Sequence, residues 1–94
     1  MSISAEANAQ LRKFRKLKLR DRRETTRFVR QSSRRMGMTR VEWLEAYEAG
    51  DSEVLAEAQM AGIEMDIDPD RLREILEIII EFIKALMAIF GGFM

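Results

Sequence analysis

The sequence predicts an all-α fold, and three observations carry that prediction. Helix start and stop chemistry recurs along the chain. Thr39-Arg40-Val41-Glu42 fits a capping box, Gly50 a left-handed helix end, and Asp68-Pro69 a capped first turn. Apolar residues recur at helical spacing, most densely from Leu72 to Phe90. Strand-like alternation of apolar and acidic residues is confined to one short stretch, Ile63-Glu64-Met65-Asp66-Ile67-Asp68.

Residues 1–37 read as a basic helical arm. Ser4 can cap its start, Ala5, Ala7 and Ala9 are good helix formers, and Glu6 suits the positive helix end. Leu11, Phe14 and Leu17 lie near helical spacing, but the next turns bring Asp21 and Glu24 before Phe28 and Val29. So thin a stripe predicts one long or broken helix with weak packing, fraying through Gln31-Ser32-Ser33 toward Gly37. Residues 38–62 read as a short helical hairpin. Met38 and Trp43 flank the capping box as a hydrophobic staple, Gly50 ends the first helix, and Gly62 is the expected stop of the second. Residues 63–69 form an acidic connector, and the last helix begins at residue 70 and reaches about Phe90 before Gly91-Gly92.

That last helix, residues 70–94 with its tail, is predicted to need company. At 100° per residue, Arg73, Glu74, Glu77, Glu81 and Lys84 occupy an arc of roughly 100°, leaving about 260° apolar. Leu72, Ile75, Leu76, Ile78, Ile79, Ile80, Phe82, Ile83, Leu86, Met87, Ile89 and Phe90 line the remainder. At about 1.5–3 kcal/mol each, their burial is worth on the order of 18–36 kcal/mol. Two short helices cannot enclose three quarters of a cylinder roughly 30 Å long. The expectation is an elongated chain with little self-sufficient core, these twelve residues serving oligomerisation or docking. A lone membrane span is disfavoured: Glu77, Glu81 and Lys84 would cost roughly 8–10 kcal/mol and the apolar residues return roughly 4–7. A membrane contact through residues 72–94 then requires an oligomer that hides the acidic stripe, or a helix lying in the interface.

Charge divides the chain. Residues 1–40 hold thirteen Lys and Arg against three acids, a net of +10, and residues 41–94 reverse the balance to −10. Arg12, Lys13, Arg15, Lys16, Lys18, Arg20, Arg22, Arg23, Arg27, Arg30, Arg34 and Arg35 are the candidate binding residues for nucleic acid or an acidic protein surface. Nine of these twelve are Arg, whose planar fork suits phosphate and carboxylate.

Other chemistry is thinly supplied. The chain has no Cys and no His, which removes disulfides, thiolate metal sites and the usual zinc and serine-hydrolase ligands. No enzyme, cofactor or metal role is expected. Asp66, Asp68, Asp70, Glu74 and Glu77 match part of a calcium-loop spacing, but Arg71 stands where the loop needs Gly, so helix capping is the better reading. Acidic Glu53 and Glu57 argue against a DNA-reading helix-turn-helix in the hairpin. Trp43 and Tyr47, one turn apart among Glu42, Glu45 and Glu48, suit packing better than base stacking. Met36, Met38, Met60, Met65 and Met87 suit gap filling before an adaptable contact surface.

The reading is a small structural or assembly protein of a larger complex, a homo-oligomer or part of a protein assembly, with a virion component as the concrete example by analogy of architecture. Nucleic acid is the first partner for residues 12–35. A membrane-active protein oligomerising through its last helix, and a DNA-binding regulator with an acidic tail, are the alternatives. Virion or intracellular placement is favoured, since Met1–Gln10 lacks the apolar stretch of a secretory signal.

Overall fold

The computed structural model describes residues 5–90, with the side chains of Ile89 and Phe90 left aside. Within them lie five helices and no strand: α1 (Ala5–Arg15), α2 (Leu19–Arg35), α3 (Arg40–Ala49), α4 (Ser52–Glu64) and α5 (Pro69–Phe90). The chain is therefore all-α. The expected cap at Ser4 and the stop at Gly91-Gly92 lie outside the described residues.

Local chemistry sets most helix ends. The Thr39 side chain accepts from the Glu42 N–H at 3.0 Å, and the Glu42 carboxylate accepts from the Thr39 N–H at 2.9 Å. Asp51 caps α4 by accepting from the Glu53 and Val54 N–H groups at 3.0 and 3.1 Å. Asp68 Oδ1 accepts from the Asp70 N–H at 2.8 Å and caps α5, whose first residue is Pro69. Thr39→Ala is expected to cost about 1 kcal/mol in a thermal or urea melt. The same box depends on pH. Hydrogen bonding from the Thr39 backbone N–H, and secondarily from its hydroxyl, holds the Glu42 carboxyl below the ordinary glutamate value. Its stabilising share is therefore present above that ordinary value and is lost as the pH falls through the lowered one. Glu42→Gln should flatten this part of the acid limb of a Tm–pH curve.

Three helices end in one motif. Met38 N–H bonds back to Ser33 O, Asp51 N–H to Ala46 O and Ile67 N–H to Gly62 O, each five residues back. The left-handed residue inside each is Gly37, Gly50 and, for α4, Asp66 at φ 52°. Gly62 is thus not the stop expected of it. It lies within α4, where an added Cβ would sit 3.4 Å from Leu72 Cδ2, so its absence allows α4 and α5 to approach closely. Asp66 carries a conformation that glycine adopts freely, and Asp66→Gly should stabilise by up to about 1 kcal/mol, raising Tm.

The expectation of little self-sufficient core is corrected. Helix α5 touches each of the other four, most extensively α1. Leu72, Ile75, Leu76, Ile78 and Ile80 are buried within the chain itself. One apolar cluster gathers Phe28, Val29, Trp43, Leu44, Val54 and Leu76, and a second joins Leu17 to Ile75 and Ile78. The radius of gyration, 13.6 Å, is close to the roughly 12 Å of a globular chain this long and far from the roughly 30 Å of an unfolded one. The physical reason is that α1 and α2 cover α5, so its faces are not left to the α3–α4 hairpin alone.

The basic segment is broken, and better packed than its stripe predicts. Lys18 is extended between α1 and α2, and Leu17 beside it is buried against α5. No Gly or Pro marks this break. It lets two short helices lay separate apolar faces on one long one. Fraying at Gln31-Ser32-Ser33 is also corrected: α2 runs to Arg35, with Ser32 and Ser33 buried. The indole N–H of Trp43, itself fully buried, donates to Ser32 Oγ at 2.9 Å. Phe28 meets the indole edge-on at 5.4 Å, and Tyr47 stacks on it at 5.8 Å.

Candidate nucleic-acid interface

Helix α2 divides cleanly by face. Asp21, Thr25, Phe28, Val29, Ser32 and Ser33 point inward. At 100° per residue, Arg23, Arg27, Arg30 and Arg34 fall within an arc of roughly 60° on the opposite side. They are exposed, and they span about 16 Å along the helix axis. On α1 Arg12 and Arg15 are exposed, Arg12 on the side away from buried Ala7, while Lys16 and Lys18 stand exposed in the linker. Lys13 sits apart, sharing a cleft with Glu74, Glu77 and Glu81 of α5.

Internal ion pairs absorb few of these charges. Arg20 contacts Asp21 at 3.5 Å and donates to the Met65 carbonyl at 2.6 Å, tying the start of α2 to the turn before α5. Arg27 lies 3.8 Å from Glu24, and Arg35 pairs with Glu57 at 2.7 Å. Among the described residues, no carboxylate lies within 4.0 Å of Arg12, Lys13, Arg15, Lys16, Lys18, Arg22, Arg23, Arg30 or Arg34. Partners for them must come from water, counterions or another molecule.

Between α1 and α2 lies a shallow cleft of about 370 Å³ lined by Phe14, Leu19, Thr26 and the arginines Arg22, Arg23, Arg27 and Arg30, with no acid in its wall. Arg22 lies over the Phe14 ring at 5.4 Å, and its buried Nε has no hydrogen-bond partner. Thr26 directs its hydroxyl to the Arg22 carbonyl at 2.7 Å, which leaves the guanidiniums as the donors of the cleft. Leu19, 51% exposed, escaped the sequence reading because it belongs to no apolar stripe. Its place next to a helical break was the missing clue.

The docking residues of α5 separate by position. The N-terminal half is enclosed, Phe82, Ile83 and Leu86 are half-buried, and Met87 is 50% exposed. The side chains of Ile89 and Phe90 lie outside the described residues. No described helix is long and apolar enough to cross a membrane. Among the described residues no group of acids is arranged to hold a metal, and Asp68 serves as a cap. Trp43 is sealed in the core and offers no face to a base. Met36, Met38 and Met65 pack against the main cluster.

No protein-family model matches the chain, and comparison with curated proteins and with solved structures finds no match.

Proposed function

We propose that this chain is a small helical assembly protein that holds a nucleic-acid backbone on the basic outer face of α1 and α2. One observation carries the reading: the Arg23, Arg27, Arg30 and Arg34 stripe, directed away from the core and largely free of internal partners. A 16 Å row of guanidiniums spans the rise of about five phosphates of one strand. Such contacts fix position without reading bases, since phosphates are the same at every step. The free energy comes mainly from released counterions, and the acids of α3, α4 and α5 orient the molecule by repulsion. The C-terminal half of α5, from Phe82 to Met87, supplies the surface for joining a larger complex, of which a virion is one setting.

Fluorescence anisotropy with two duplexes of unrelated sequence tests this. Equal affinities that fall steeply between about 50 and 200 mM salt support it. No binding at the lower salt would sink it, and strong preference for one duplex would favour a sequence-reading regulator instead.

A further inference from the structure

A second recess lies on the other side of Phe14, and its chemistry is unlike that of the basic cleft. It is a groove of about 350 Å³ between α1 and the α2–α3 corner, floored by α5. Leu11, Phe14, Val29, Leu44, Ile79 and Phe82 form its wall, and polar side chains enter only as Gln10, Thr26 and Arg40. The Thr26 hydroxyl is committed to the Arg22 carbonyl. Arg40 is exposed, at the first turn of α3, and no carboxylate of the described residues lies within 4.0 Å of it. Glu42, the acid nearest in sequence, is committed to the Thr39 N–H. The groove is therefore an apolar trough with one cation at its rim that has no internal carboxylate partner.

We propose that this groove binds a free long-chain fatty acid, its alkyl chain along Leu11, Phe14, Ile79 and Phe82 and its carboxylate on Arg40. The volume falls within the usual range for a small-molecule site. An extended peptide would find almost no donors or acceptors for its backbone in this wall. An alkyl chain has no polar group to satisfy, and its single negative head matches the single rim cation. This inference is independent of nucleic-acid binding, because neither Arg40 nor Leu11 belongs to the arginine stripe.

The test is titration calorimetry on the full chain with decanoate, laurate and methyl laurate, each below its micellar concentration. Laurate should bind about sixteenfold more tightly than decanoate, at about fourfold per buried methylene. Methyl laurate, lacking the charge, should bind at least about tenfold more weakly than laurate, as should laurate to Arg40→Gln, since a charge-assisted hydrogen bond is lost in each case. Leu11→Trp, at a half-buried position of the groove, should block all three ligands while circular dichroism shows the fold retained. Failure of laurate to bind would overturn the proposal. So would equal affinity of laurate for Arg40→Gln, or indifference to Leu11→Trp, which would place the ligand elsewhere. A ligand-free dimer that Leu11→Trp converts to monomer would assign the groove to a second copy and overturn it as well.

Discussion

Trp43→Ala lowers stability by about 3–5 kcal/mol, the usual cost of emptying a large aromatic site in a core. The indole is fully buried, touches two aromatic rings and donates its N–H to Ser32 Oγ. Its removal leaves a cavity and strands the buried Ser32 hydroxyl without that donor. Against a total of about 5–15 kcal/mol for an ordinary domain, this loss removes between roughly a fifth and the whole of the stability. Urea unfolding followed by circular dichroism reads it as a fall in midpoint. Ser32→Ala isolates the polar part: it orphans the indole N–H with almost no loss of volume and should cost about 1–3 kcal/mol. A Trp43→Ala variant as stable as the parent would mean that the cluster is not the core. Trp43 is the chain's one tryptophan, so its fluorescence in the parent reports the same transition.

Glutamine at Arg23, Arg27, Arg30 and Arg34 together removes four charges from one face without touching the core. If each meets a phosphate, the slope of log affinity against log salt becomes shallower by about 3.6. Between about 50 and 200 mM salt, the parent then loses about 150-fold more affinity than the variant. Stability should barely move, since the four are exposed and only Arg27 has an internal carboxylate within reach. The matching four-lysine variant keeps charge and discards the planar fork. It should preserve the slope while weakening binding if the guanidiniums grip phosphates bidentately. An unchanged slope in the glutamine variant would remove α2 from the interface.

What could be read from residues alone was local. The capping box at Thr39 and Glu42, the left-handed Gly50 and the Asp68-Pro69 start each depend on side chains within a few positions of the backbone groups they satisfy. The features that escaped depend on contacts far along the chain. Ser32 and Ser33 are poor core candidates by type, yet Ser32 is buried because Trp43, eleven residues on, needs an acceptor there. Gly62 resembles a helix stop, but its small size serves α5, while Asp66 makes the turn. The break before α2 has no local marker, because its benefit lies in how both halves meet α5. For the candidate interface, composition announced the basic residues. The spacing of Arg23, Arg27, Arg30 and Arg34 already put them on one helix face. Only the fold showed that this face turns outward, and that Phe14 and Leu19 sit among the arginines.

The placement of α5 bears on how the protein is made. Every other helix rests on it, yet it follows all of them in the chain. A ribosome therefore exposes α1 to α4 before the scaffold they share has been synthesised, with Phe28, Trp43 and Val54 bare and the arginine stripe beside them. Helices this short are marginal alone, so the emerging segment has mainly the α2–α3 and α3–α4 contacts to settle against. The full core must wait for the last helix, and until that moment a chaperone is the natural cover for the unfinished chain.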